Sequence, residues 1–171
     1  DIFQEIAMSR NSRVLALCLV AASALTACNK PREEGSAKDT APSIPVELTA
    51  AQKQALVAEL PAPYSGGDVE HGKTVFMMCK TCHTLVEGGA NMTGPNLWGI
   101  FGRKAGMAKD FAYSDGLKAA GFTWDTAHMD TRIENPRAMM AGTKMSFVGL
   151  KDAKDRIDVI AYLKSEASPA K

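Results

Sequence analysis

The apolar positions of the chain fall into four stretches, and the polar stretches between them set its organisation. Val14 to Ala24 carries no charge, and Arg10 and Arg13 lie just before it. A spanning helix needs roughly 20 apolar residues, whereas a basic start followed by a shorter apolar run is the pattern of an export signal. Asn29 to Val46 is rich in Pro, Ser, Ala and charge and poor in apolar anchors. It is expected to be a flexible tether with a span of roughly 25 Å. Thr49 and Gln52 have capping-box spacing ahead of Ala50 to Leu60, where Leu56, Val57 and Leu60 give one modest apolar face before Pro61 ends the helix. Residues 47–61 are therefore expected to form a satellite helix on the main domain, residues 67–166, with 167–171 as a tail.

Within that domain, Asp68 caps a predicted helix running to Lys80, with Val75, Phe76 and Met78 or Cys79 available for its buried face. Asp152 caps another running to Glu166, with apolar positions at Ile157, Ile160 and Ala161 and again at Val159, Tyr162 and Leu163. These two helices are the natural packing pair. Between them the chain holds Gly88, Gly89, Gly94, Gly99, Gly102, Gly106, Gly116 and Gly121 and no convincing period-2 strand, so the expected class is all-α, short helices joined by glycine-rich loops.

Composition narrows the function. Hydrophobic residues at 46% and charged residues at 23% are too polar a mixture for a polytopic membrane protein. A balance of 20 basic against 19 acidic side chains removes the strongly basic face that a nucleic-acid binder needs. A domain of about 100 residues with this much loop is short of core, and a cofactor would supply it.

The four cysteines separate into two kinds. Leu25, Thr26, Ala27 and Cys28 resemble the lipobox of bacterial lipoproteins. That resemblance implies removal of residues 1–27, diacylglycerol on Cys28, a tether over 28–46 and attachment to the periplasmic side of a bacterial membrane. The alternative is ordinary cleavage after Ala27, a free Cys28 and a soluble periplasmic protein. Asp1 and Glu5 are out of place in a basic signal start, so translation is expected to begin at Met8. Cys18 lies inside the discarded segment.

Cys79, Lys80, Thr81, Cys82 and His83 form the C-X-X-C-H pattern of covalent haem c attachment. Cysteines three apart share a helix face and reach the two vinyl groups of one haem, and the adjacent imidazole meets the iron. A thioredoxin-type pair would require a βαβ context that is absent here. Zinc would require four ligands, and no second paired motif offers them. Gly67 to Thr74 also satisfies the P-loop pattern G-X-X-X-X-G-K-T, but prolines rather than a buried strand precede it, and Asp68 and Glu70 would repel phosphate. The match is treated as chance, with His71 a solvent-facing helix residue. A soft thioether or an imidazole opposite His83 could come from Met92, Met107, Met129, Met139, Met140, Met145 or His128. The residues alone do not rank them.

Residues 67–166 as a whole resemble class I, mitochondrial-type cytochromes c and their alphaproteobacterial c2 relatives, through GDVEHGKTVF, CKTCHTL, GPNLWGIFGRKAG, YSDGLKAAGFTW and NPRAMMAGTKMSFVGLKDAKDRIDVIAYLK in family order. The resemblance implies the cytochrome c fold around one covalent haem. GTKMSF then identifies Met145 as the axial ligand opposite His83, and Pro95 as the carbonyl that orients the His83 imidazole. Arg103, Tyr113 and Trp124 match the partners of the haem propionates, and His128 becomes a plain surface histidine. Two positions depart from the family: Arg132 stands where a tyrosine is usual near the methionine sulfur, and Leu117 where an asparagine is frequent. The basic docking ring is thin, with Lys80, Arg137, Lys144, Lys151 and Lys154 as its candidates, which predicts docking of low salt sensitivity. The expected function is a monomeric, membrane-tethered, non-enzymatic carrier of single electrons. Its donors and acceptors would be a quinol-cytochrome c reductase and a terminal oxidase or photosynthetic reaction centre. The alternative is a haem peroxidase-like enzyme with a dissociable methionine ligand.

Overall fold

Local capping chemistry starts most of the helices in the computed structural model, which describes residues 47–169. The expected signal, the tether, Cys18, Cys28 and the last two residues lie outside the described residues. Helix α1 is Ala50–Ala58, and Thr49 and Gln52 close its capping box. A 3-10 turn at Tyr64–Gly66 leads into α2, Val69–Lys80, whose N-cap Asp68 accepts from the His71 N–H. Glu70 in the first turn and Lys80 in the last complement the dipole of α2. Three short helices follow, α3 at Asp115–Ala119, α4 at Thr126–Glu134 and α5 at Pro136–Met139. Helix α6, Ala153–Glu166, closes the domain, with Asp152 accepting from the N–H groups of Lys154 and Asp155. No strand occurs among the described residues, only an isolated bridge between Lys104 and Thr123. The all-α class holds.

Helices α2 and α6 make the main packing pair, and α1 and α4 also rest on α6. Enclosure from several sides explains a departure from the one-faced pattern expected of α6: Val159, Ile160 and Leu163 are buried as predicted, but so are Arg156 and Asp158, while Ile157 and Tyr162 are only half-buried. Each fully buried aliphatic side chain of this set contributes about 1.5 to 3 kcal/mol. The crossing needs a glycine, because a Cβ on Gly72 would fall on the Asp158 carbonyl. Phe76 and Tyr162 pack beside it as a tilted pair with ring centroids 5.4 Å apart.

Buried polar groups lock this crossing. Asp158 accepts from the Asp68 N–H at 2.9 Å and from His71 Nδ1 at 2.7 Å, and it pairs with Lys154 one turn earlier. His71 is thus a bridge between α2 and α6 that keeps 40% of its side chain exposed to solvent; the expected solvent-facing role did not include this partner. Burial pushes the Asp158 carboxyl up, but the hydrogen bonds from Lys154, Asp68 and His71 outweigh it and hold the group below its usual range. Arg156 ties α6 to α4 through Asp130 at 3.0 Å, and to the loop between α5 and α6 through the carbonyls of Leu150 and Lys151. Helix α1 buries Leu56 and Val57, with Leu60 just beyond it, and pairs Lys53 with Glu166 at 2.7 Å.

Candidate functional site

The last turn of α2 and the turn that follows it put Cys79 and Cys82 at the wall of a cavity of about 320 Å³. Phe76, Trp124, Met129, Ile133 and Leu163 make its apolar lining, with Tyr113 and Leu117 beside them. This is the space that the loop-rich sequence lacks side chains to fill. Cys79 and Cys82 are free thiols, half-buried, on the same wall. Burial, with a smaller effect of Cys82, pushes the Cys79 thiol up to about 11. Among the described residues no group of three or more His, Cys, Asp or Glu side chains converges as a metal site.

His83 follows the second cysteine, and its Nδ1 lies 2.7 Å from the Pro95 carbonyl. A carbonyl only accepts, so Nδ1 carries the proton and Nε2 keeps its lone pair. Burial is the largest influence on the ring and lowers its pKa, the Pro95 bond opposes that, and the nearby Arg132 charge adds to it. The outcome is a neutral imidazole with one nitrogen available to a metal. Gly94 is required here, because a Cβ would overlap the imidazole. The Gly94 N–H also donates to the Cys82 carbonyl at 2.9 Å, tying the glycine to the cysteine pair.

The loop that presents Pro95 is held by Asn96, a residue that motif reasoning passed over. Its Nδ2 donates to Thr84 Oγ1 and to the carbonyls of Val86 and Gly89, and its Oδ1 accepts from the Trp98 N–H. The signal for it was its place directly after Gly94 and Pro95.

The cavity narrows the candidates for a sixth ligand. Met129 and Met145 line it, whereas Met92 and Met107 are exposed on the surface and Met140 packs over Gly116. His128 is stacked on Phe122 at 4.3 Å and bonded to Asp125 through Nδ1 at 2.7 Å, with 38% of its side chain exposed at the surface. Tyr113 and Trp124 are on the cavity wall. Arg103 stands behind it, with its guanidinium donating to the carbonyls of Trp98 and Asn96, both at 3.0 Å. Burial lowers the pKa of Arg103 and raises that of Tyr113, while their mutual attraction works against both shifts.

Chemically, the arrangement suits a flat apolar group attached through two thiols and bound from one side by a neutral imidazole. The comparisons agree with the geometry. The cytochrome c family model matches residues 69–167, more than half of the chain. The chain belongs to the cytochrome c family. It is 46% identical to a cytochrome c2 of Rhodomicrobium vannielii over 103 residues, 60% of this chain and 82% of that one. It is 49% identical to a cytochrome c2 of Rhodoplanes tepidamans over 96 residues, 56% of this chain and 90% of the relative. It is 43% identical to a cytochrome c of Kluyveromyces lactis over 105 residues, 61% and 96% of the two chains. The fold is therefore that of cytochrome c, and the family's cofactor is one covalent haem c. Cytochromes c are electron carriers rather than enzymes, and nothing in the comparisons supports the peroxidase alternative.

Three of the five expected docking cations are engaged. Lys144 donates to the Ala112 carbonyl at 2.7 Å, Lys151 to the Glu134 carbonyl at 2.8 Å, and Lys154 pairs with Asp158. Lys80 and Arg137 are exposed. No helix among the described residues is long and apolar enough to cross a membrane.

Proposed function

We propose that this cytochrome c carries single electrons between membrane redox complexes on the periplasmic side of a bacterial membrane, held there through Cys28. In this reading Cys79 and Cys82 bind the haem covalently, His83 and Met145 are its axial ligands, and Pro95 orients His83. Tyr113 and Trp124 receive the propionates, with Arg103 supporting them electrostatically from behind. The observation that carries the reading is the His83 Nδ1–Pro95 carbonyl bond, which leaves Nε2 free beside the two thiols. A His/Met pair gives haem iron a high potential, suited to taking electrons from a quinol-oxidising complex and passing them to an oxidase or reaction centre. When bound, the haem supplies the one-electron couple. The chain keeps water away with apolar walls and holds the proximal imidazole neutral and oriented.

The pairing of Lys154 with the Asp158 carboxylate removes one cation from the docking face, in keeping with the thin basic ring of the sequence. The lipobox-like residues before Cys28 support the tether. The test is maturation of the full chain with its own haem-attachment machinery. Covalent haem should persist on a denaturing gel and disappear in the double variant Cys79→Ala, Cys82→Ala. Cys28→Ala should move the haem protein from the membrane to the soluble fraction. Unchanged membrane retention would contradict the anchor, and a haem-free wild type would contradict the whole reading.

A further inference from the structure

Arg132 is buried, 9% exposed, on the cavity wall. Helix α4 delivers it there, and two hydrogen bonds fix its guanidinium: Nη1 donates to the Pro136 carbonyl at 3.2 Å and Nη2 to Thr143 Oγ1 at 2.6 Å. The same Thr143 oxygen accepts the Met145 N–H at 3.2 Å, so the cation is anchored to the segment that carries the proposed methionine ligand. No carboxylate pairs with Arg132 among the described residues. Burial lowers its pKa, but from so high a starting value that the group stays charged.

An unbalanced cation beside a redox group has a definite sign. The haem of this family gains one electron on reduction, so the net charge of the pocket falls by one unit. A fixed positive charge in a poorly solvated wall favours that lower-charge state. We infer that the buried charge of Arg132 biases this cytochrome toward its reduced form, while Thr143 and Pro136 hold the guanidinium in place. It contacts the pocket and takes no part in electron exchange itself.

The inference rests on the haem-carrier reading, and the experiment separates the two. Matured protein is titrated with redox mediators while the haem absorbance is followed, for wild type and for Arg132→Met, Arg132→Gln and Arg132→Lys. Met is included because an apolar residue of similar volume often replaces a buried charge without loss of stability. At a fixed applied potential, the Met and Gln variants should lower the ferrous-to-ferric ratio at least fivefold, a shift of about 40 mV for one electron at 59 mV per tenfold. Lys should restore the ratio to within threefold of wild type. A change below fivefold in both neutral variants, or a Lys variant as oxidised as the Met one, would overturn the inference and leave the haem reading intact. Failure of both neutral variants to mature would also overturn it, by assigning Arg132 to folding. A wild type without covalent haem would sink the reading beneath it.

Discussion

At the scale of single residues, the site depends on close approach. His83 can lie flat because Gly94 has no side chain, and its tautomer is set because a carbonyl, not a donor, faces Nδ1. Gly94→Ala should force the imidazole off its bond to Pro95 and destabilise the holoprotein by about 1 to 3 kcal/mol, the usual cost of overpacking. Urea unfolding followed at the haem absorbance checks this, and an unchanged midpoint with an unchanged spectrum would contradict it. The pentapeptide and the glycine-proline pair made the cysteines, His83 and Pro95 legible from the sequence. Arg132 was visible as a departure from the family, but its partners were not. Its bond to Thr143 spans eleven positions and depends on how the Met145 segment folds back onto α4.

Among the elements, α2 and α6 were the most legible, because each has an aspartate N-cap and apolar residues at helical spacing. The lock between them was not. His71 and Asp158 are 87 positions apart, and no local pattern distinguishes a bridging histidine from an exposed one. The same holds for His128, whose stacking on Phe122 depends on the turn before α4.

The lock predicts an acid sensitivity of definite sign. The Asp158 carboxyl is depressed in the folded state, so its stabilisation is complete above the ordinary carboxylate pKa near 4 and is lost as pH falls through the lower, folded value. Asp158→Asn should cost about 1 to 3 kcal/mol at pH 7, since one partner is backbone and the two side-chain partners are substantially solvated. The difference between variant and wild type should shrink as pH drops below about 4. Thermal unfolding across pH measures this, and a pH-independent difference would contradict the assignment.

For the whole molecule, shortage of core and presence of a cavity are the same fact seen from two sides. Few aromatics, many glycines and short helices leave a space of about 320 Å³ lined by apolar side chains, two thiols and an imidazole. The sequence implied a missing centre from composition alone, and the walls could be assigned only once chain segments far apart in sequence were brought together. Helix α1 precedes the part matched by the cytochrome c family model, and it still rests on the family's terminal helix through Leu56, Val57 and the Lys53–Glu166 pair.

The central claim is one covalent haem c held between His83 and Met145 in a protein whose work is electron transfer. It is tested most directly by the optical spectrum of the matured protein through a full redox cycle. The account predicts a reversible one-electron titration, with the weak far-red sulfur-to-iron band present in the oxidised form near neutral pH and abolished in Met145→Ala. An oxidised protein without that band, binding external ligands rapidly at an open iron, would contradict it.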